Sequence, residues 1–117
     1  MRGDGMYYNK EINIYAYGEY EDEHGIDREG YSKINEEPIM VDMQPYNSEK
    51  AKRDYGYDIK CTRRMFCDVI DEITEDCLIE YNGKFYKIEK IPWDDGYIEA
   101  LLNQTKDVNI LEVEENE

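Results

Sequence analysis

The chain has 117 residues and a formal net charge of −15, since 29 acidic residues outnumber 14 lysines and arginines. This length predicts one domain, residues 1–117, that can bury a core of its own. The acidic excess argues against proteins that grip nucleic acid through its phosphates, because those proteins present a basic surface. No window approaches the roughly 18 apolar residues of a membrane span, and no apolar signal region is present at the amino terminus. We therefore expect no membrane partner and no secretion by a standard route.

The first predicted element is a strand over Glu11–Tyr17, where Ile12, Ile14 and Ala16 recur with a period of two. This alternation disappears in the segment 18–37, which contains eight acids and two basic residues. We predict a long acidic loop there. Connections of this length are usually functional or disordered, so a partner-contacting arm and an unordered excursion are the two alternatives.

The middle of the chain is predicted to hold two strands separated by a short helix. The strands cover Ile39–Gln44 and Ile59–Phe66, which both alternate in polarity. Between them, Asn47 or Ser48 can cap a two-turn helix, and Gly56 can end it in the left-handed conformation.

Basic residues concentrate in Lys50–Arg64, which holds six of the fourteen lysines and arginines and only two acids. Charges of this kind are commonly balanced by acids of the same subunit, in exposed and weak ion pairs. The alternative is a subunit interface that docks onto an acidic patch of the next copy. Its candidate residues are Lys52, Arg53, Arg63 and Arg64.

The segment 77–91 has the strongest local pattern, which is that of a β-hairpin. Asn82 and Gly83 tolerate the positive φ that both central residues of a type I′ turn require. A two-residue turn also fixes the register, so that Ile79 opposes Tyr86 on one apolar face.

A bend is predicted where this hairpin continues toward the carboxyl terminus. Tyr86 and Ile88 lie on even positions, whereas Ile91 and Trp93 lie on odd ones. We therefore predict a bulge or bend between Glu89 and Pro92. Trp93 itself is typical of a core or interface anchor rather than a ligand platform. A closing strand over Tyr97–Leu102 follows, and the segment 106–117 is predicted to be an acidic, frayed tail.

The sequence contains no motif of a nucleotide-binding loop, a zinc protease or a hydrolase nucleophile elbow. Cys61, Cys67 and Cys77 form no C-x-x-C pair, which favours reduced thiols over a zinc site or disulfides. The one histidine, His24, lies among acids, where a solvated residue is favoured over a metal ligand. With 29 acids, carboxylate pairs are weak support for a small hydrolase. We expect no enzymatic activity, cofactor or metal site.

Twelve tyrosines are many for a chain of this length. Tyr and Trp are favoured at protein interfaces because they combine apolar area with a hydrogen-bonding tip. This composition favours a component of an assembly over a free monomer, and Tyr20 and Tyr31 indicate that something covers part of the acidic loop.

Five short segments of the chain are similar to segments of a known protein family and follow the same order. They are V-D-M-Q-P-Y at Val41–Tyr46, Y-G-Y-D-I at Tyr55–Ile59, R-M-F-C-D at Arg64–Asp68, Y-N-G-K-F-Y-K-I at Tyr81–Ile88 and P-W-D-D at Pro92–Asp95. In order and spacing they resemble the small head-closure proteins, also called stoppers or head-tail connectors, of tailed bacteriophages and prophages of Gram-positive bacteria. The acidic segment 18–37 and Gly96 depart from this pattern.

The resemblance implies a mostly β fold: a small β-barrel or rolled antiparallel sheet with one short helix, here joined by the long acidic loop. It also implies a structural virion protein without catalytic residues, assembled in the bacterial host cytoplasm. Such proteins form a ring of six copies in the neck, between the portal with its adaptor and the tail. The ring retains packaged DNA, provides the tail attachment surface and lets DNA pass without tight binding.

On this basis the candidate residues fall into two groups. The ring-interface candidates are Lys52, Arg53, Arg63, Arg64, Tyr20, Tyr31 and Trp93. The candidates for a channel or gating loop are Glu21, Asp22, Glu23, Asp27 and Glu29. The alternative function, suggested by charge alone, is an acidic DNA mimic or inhibitor that binds a basic nucleic-acid enzyme.

Overall fold

A computed structural model of the chain describes residues 8–106, 108 and 110. This part of the chain forms seven strands and one helix, which confirms the expected mostly β class with one short helix. The elements are β1 (Lys10–Glu21), β2 (Asp27–Lys33), β3 (Ile39–Pro45), α1 (Ser48–Tyr55), β4 (Arg63–Cys67), β5 (Leu78–Tyr81), β6 (Lys84–Trp93) and β7 (Ile98–Thr105).

Six of the strands close into an antiparallel barrel. Its order is β1, β3, β4, β7, β6 and β5, and the barrel closes where β5 pairs with β1. At this closure Ile14 lies opposite Ile79. The seventh strand, β2, pairs with the distal part of β1 and lies outside the barrel. Closure removes the exposed edges that an open sheet of these strands would present.

The barrel interior is filled by the side chains that the period-two patterns place inward. The fully buried ones include Ile12, Ile14, Val41, Met65, Ile79, Ala100 and Leu102. A second, smaller cluster lies on the outer wall, where α1 covers it; its buried members are Tyr46, Ala51, Cys61 and Leu101. The helix therefore extends the core to one outward face of β4 and β7.

The hairpin at Asn82-Gly83 and the bulge after it are both confirmed. Asn82 and Gly83 have φ values of 57° and 79°, and Ile79 lies opposite Tyr86. Pairing of β6 with β7 shifts register between Ile88 and Lys90 and again before Trp93. The shift lets apolar residues on both sides of it reach their packing positions.

Helix α1 has the predicted caps. The Asn47 side chain accepts a hydrogen bond of 2.8 Å from the backbone N–H of Lys50, and Gly56 ends the helix with φ of 79°. The strand predicted over 59–66 is shorter and later, at Arg63–Cys67. The preceding residues instead pack under the helix, where Cys61 donates its backbone N–H to the Ser48 hydroxyl at 3.2 Å.

The predicted long loop over 18–37 is wrong for most of its length. β1 continues to Glu21, and β2 pairs back along it from Glu21↔Asp27 to Tyr15↔Lys33. We call the projecting part of this hairpin, residues 16–32, the arm. The strands of the arm were not predicted because neither face of the arm packs on the barrel. Apolar and polar residues therefore do not alternate along them. Most of the segment 106–117 lies outside the described residues, although Ile110 forms a parallel bridge with Tyr31 of the arm.

Strand directions place the arm and the helix at different ends of the molecule. β3 runs antiparallel to β1, so the connection that leaves β3 lies at the end where β1 begins. That connection contains α1. The arm leaves from the other end of β1. The molecule measures 50 by 29 by 24 Å, and this elongated shape is consistent with a hairpin that projects from a small barrel.

Candidate interaction surfaces

The arm gathers all five of the predicted gating residues. Glu21, Asp27 and Glu29 belong to its strands, and Asp22 and Glu23 to its turn. Cross-strand neighbours share a face in an antiparallel pair, so Glu21 lies beside Asp27, and Glu19 beside Glu29. The residues 16–32 contain six acids and one basic residue, which makes the arm a strongly negative projection.

Aromatic contacts stiffen the same face nearer the barrel. Tyr17 and Tyr31 meet edge to face at 5.2 Å between ring centroids. The Tyr17 hydroxyl donates to the Glu29 carboxylate at 3.0 Å, and this carboxylate raises the pKa of Tyr17. The Tyr17 side chain nevertheless remains 54% exposed.

The turn of the arm is held by Asp22. Its carboxylate accepts hydrogen bonds from the backbone N–H groups of His24 and Ile26 and from the Arg28 guanidinium, each at 2.9 Å. The hydrogen bond from Ile26, followed by that from Arg28, lowers the pKa of Asp22. Ile26 projects beside this network and is 54% exposed. The tip thus combines fixed carboxylates with an uncovered apolar side chain.

The end of the barrel from which the arm leaves is acidic beyond the arm itself. The loops that lie at this end connect β2 to β3, β4 to β5 and β6 to β7. Their acids are Glu36, Glu37, Asp68, Asp71, Glu72, Glu75, Asp76, Asp94 and Asp95. Within the described residues, most of the acids therefore lie at this end of the fold.

A group of exposed basic residues lies around α1. We call Lys50, Lys52, Arg53 and Lys60, which are all exposed, the basic face. Beside it is a cavity of about 390 Å³ lined by Ser48, Glu49, Lys52, Arg53, Asp58 and Ile59. Arg53 pairs with Asp54 at 3.0 Å. Among the residues the structure describes, Lys52 has no ion pair.

Arg64 lies in the barrel wall rather than on a free surface. Its guanidinium donates to Gln44 Oε1 at 3.1 Å and to the Tyr55 hydroxyl at 3.2 Å, and it stacks 4.5 Å from the Tyr46 ring. Glu99 lies 3.7 Å away, yet burial raises the pKa of Glu99. At that distance the ion pair is too weak to offset desolvation of the carboxylate, so packing and hydrogen bonds hold Arg64.

The structure separates the remaining interface candidates. Arg63 lies 5.7 Å from the centre of the Tyr81 ring at the start of β4. Tyr20 and Tyr31 are in the arm, far from the basic face. Trp93 is 46% exposed, so it is not a core anchor; its indole N–H donates to the Asp95 carbonyl at 2.8 Å. The seven candidates therefore do not form one continuous patch.

The buried Tyr46, which joins α1 to the barrel, was not predicted as a key residue from the sequence. Its hydroxyl donates to Asp54, and burial followed by this carboxylate raises the pKa of Tyr46 to about 12. The arm residue Ile26 was also missed as a surface group. An isolated aliphatic residue between glycine and aspartate was the available signal, but it does not distinguish a buried side chain from an exposed one.

The three thiols are buried, and burial raises the pKa of Cys67 to about 12. Within the described residues, no three His, Cys, Asp or Glu side chains are arranged to hold a metal ion. Over the same residues, no helix has both the length and the apolar character needed to cross a bilayer.

Comparison with known proteins adds information on the fold alone. No family model matches the chain, and no curated protein matches it either. The chain is similar in structure to the protein SF1141 from Shigella flexneri 2a, whose structure was solved in solution. The TM-score is 0.70 at 15% sequence identity, and the match covers 90% of this chain and 99% of the other. At this identity the comparison shows a shared fold and does not show a shared function.

Proposed function

We propose that the protein is a head-closure, or stopper, component of a bacteriophage neck, which forms a ring below the portal and adaptor. The ring retains packaged DNA and provides the surface to which the tail attaches. The observation that carries this proposal is the ordered series of five segments that resemble such proteins. A small β-barrel with one short helix, which is the fold expected of the family, supports it.

The position of these segments in the fold gives further support. Val41–Tyr46 contains most of β3 and the Tyr46 anchor, Arg64–Asp68 contains most of β4, and Tyr81–Ile88 forms the type I′ hairpin. The resembling residues are thus the scaffold of the barrel. The region that departs from the family pattern, 18–37, is largely the arm, so this protein differs from its expected relatives in a projection rather than in its core.

The charge distribution suits a passage for DNA. A lumen lined by carboxylates does not bind phosphates by counterion release, so the duplex slides past without tight binding. The acidic end of the barrel, from which the arm leaves, is the part that we assign to the channel side of the ring.

The function is tested with phage particles assembled without this protein. The expected particles have portals but no attached tails, and their heads lose DNA; supplying the protein in trans restores both properties. Filled heads with normally attached tails in its absence would refute the proposed role. Negative-stain imaging and nuclease protection of packaged DNA provide the two measurements.

The concentration of carboxylates at one end favours a second candidate, an acidic DNA mimic that inhibits a basic nucleic-acid enzyme. Such a protein competes with DNA in a salt-dependent manner, because both ligands bind the same cations. Competition measured at two ionic strengths against a DNA-binding enzyme of the host would support this candidate. Incorporation into neck particles would support the ring instead.

A further inference from the structure

We propose that the arm of one copy docks on the basic face of a second copy, beside the cavity next to α1. This inference deepens the proposed ring and rests on it. It assigns the contact that joins neighbouring subunits, and it makes the interface heterologous: the two copies contribute different surfaces.

The arm has few contacts with the rest of the described chain. β2 pairs with β1 alone among the named strands, the bridge between Tyr31 and Ile110 lies near the base of the arm, and the rest of the arm extends beyond the barrel wall. A two-stranded ribbon is marginally stable in water unless another surface covers it. Tyr17, Tyr20 and Ile26 are large side chains that the arm leaves exposed. A partner that covers them would fix the arm in place.

The arm and the basic face carry opposite charges that one subunit cannot bring together. The arm has six acids and one basic residue, whereas the basic face has four exposed basic residues with Glu49, Asp54 and Asp58 beside them. The arm leaves the end of β1, while α1 follows β3 at the end where β1 begins. Opposite charges at separated sites of one chain favour contact between copies.

The lining of the cavity beside the basic face suits the tip of the arm. Lys52 and Arg53 on its rim match the carboxylates of the arm, and Ile59 gives its wall an apolar group. Glu49 and Asp58 also line it, so the rim carries charges of both signs. It suits an occupant that places an apolar group among charges of both signs. Ile26 is such a group at the tip of the arm, where Glu23 and Asp27 are negative and Arg28 is positive.

A heterologous contact of this kind leaves one free arm and one free basic face on every open chain of subunits. Subunits therefore add to the open chain until the rotation between neighbours closes a ring. If the rotation does not close, the subunits form a filament. The arm contact thus explains how a chain of net charge −15 can associate with itself: opposite charges meet locally although the copies repel one another overall.

The test is sedimentation velocity of the purified full chain over a range of concentrations. At about 0.15 M salt, repulsion between whole subunits is screened beyond roughly 8 Å, while contacts at the interface persist. One variant reverses the basic face, Lys52→Glu with Arg53→Glu. The other reverses the arm, Glu23→Lys with Asp27→Lys. The control, Asp71→Lys with Glu72→Lys, makes the same charge change as the arm variant on a neighbouring acidic loop.

We expect the wild-type chain and the control to associate, and each of the two test variants to associate at least about tenfold more weakly. Mixing the two test variants should restore association, because the arm of each variant then meets a face of opposite charge on the other variant. Monomeric wild-type protein at all concentrations, equal loss in the control, or no recovery in the mixture would each overturn the proposal.

The same variants separate this inference from the proposed function. A reversed variant that still forms a closed neck on phage particles would overturn arm docking and leave the head-closure role standing. A chain that self-associates through its arm but is absent from phage necks would retain the docking contact and refute the head-closure role.

Discussion

The hydroxyl of Tyr46 donates a hydrogen bond of 2.5 Å to the carboxylate of Asp54. Tyr46 follows β3 directly, and Asp54 lies in the last turn of α1, so this bond fastens the helix to the barrel end. The ring of Tyr46 also stacks under the Arg64 guanidinium. The position of the basic face therefore depends on a buried tyrosine rather than on surface charges.

Tyr46 should make stability sensitive to alkaline pH. Its pKa is about 12 in the folded protein, against an ordinary value near 10 in the unfolded chain. The folded state therefore retains its proton while the unfolded state loses it, and the stabilisation is present below about pH 10 and is lost as pH rises toward 12. Urea unfolding midpoints measured from pH 8 to 11.5 should fall less steeply in Tyr46→Phe. An identical slope would contradict this role of the hydroxyl.

Substitution of Arg64 should lower the free energy of unfolding much more than substitution of Arg53, although both residues lie in the segment 50–64. Arg64→Ala removes two hydrogen bonds and the stacking on Tyr46, so we expect a loss of about 2 kcal/mol in the free energy of unfolding. Arg53→Ala removes an exposed ion pair and should leave the urea midpoint unchanged. Equal effects of the two substitutions would show that Arg64 is not held by the barrel wall.

Gly83 should tolerate substitution less well than Gly18. Gly83 has φ of 79° in the hairpin turn, so Gly83→Ala should destabilise the protein by about 1 kcal/mol. Gly18 lies in β1, and a Cβ there would meet no atom within 4 Å; Gly18→Ala should change stability by less than about 0.5 kcal/mol. Thermal unfolding of the two variants compares them directly, and the reverse order would exclude the type I′ turn.

The thiols should be inert in the folded protein. Cys61, Cys67 and Cys77 are buried, and burial raises the pKa of each. Because the thiolate is the reactive form, alkylation by iodoacetamide at pH 8 should modify none of them until urea unfolds the chain. Mass spectrometry before and after denaturation checks this, and rapid labelling of native Cys67 would contradict the closed barrel.

The barrel should fold without its arm. Replacing residues 17–31 by Asn-Gly retains the pair Ala16↔Ser32 and provides a type I′ turn. Since β2 packs on β1 outside the barrel, we expect the core signals in an NMR spectrum to persist. Loss of cooperative unfolding would mean that the arm is part of the folding unit.

The parts of the fold that local chemistry determines were predictable from sequence. Asn82-Gly83 determined a turn and its register, Asn47 and Gly56 capped the helix, and the change of parity after Glu89 required the bulge. In each case a few neighbouring residues decide the conformation. The closed barrel was expected from the family resemblance rather than from these local patterns.

The arm and the outer wall were not predictable in this way. Strand prediction relies on an apolar face, and the arm has none: its cross-strand pairs from Tyr17↔Tyr31 to Glu21↔Asp27 join aromatic, glycine and charged residues. Leu101 points away from the barrel interior yet is fully buried, since α1 packs over it. Arg64 looked like an interface residue for the same reason: only the fold reveals that Tyr46, Tyr55 and Gln44 surround it. Contacts between distant segments decide these positions.

The most direct test of the head-closure role is a cryo-electron microscopy reconstruction of the neck of phage particles assembled in the presence of this chain. The proposed role predicts a ring of six-stranded barrels of this fold between the adaptor and the tail, with each arm resting on the helix α1 of its neighbour. A neck that is fully accounted for by other chains, with no barrel of this fold in that position, would contradict it.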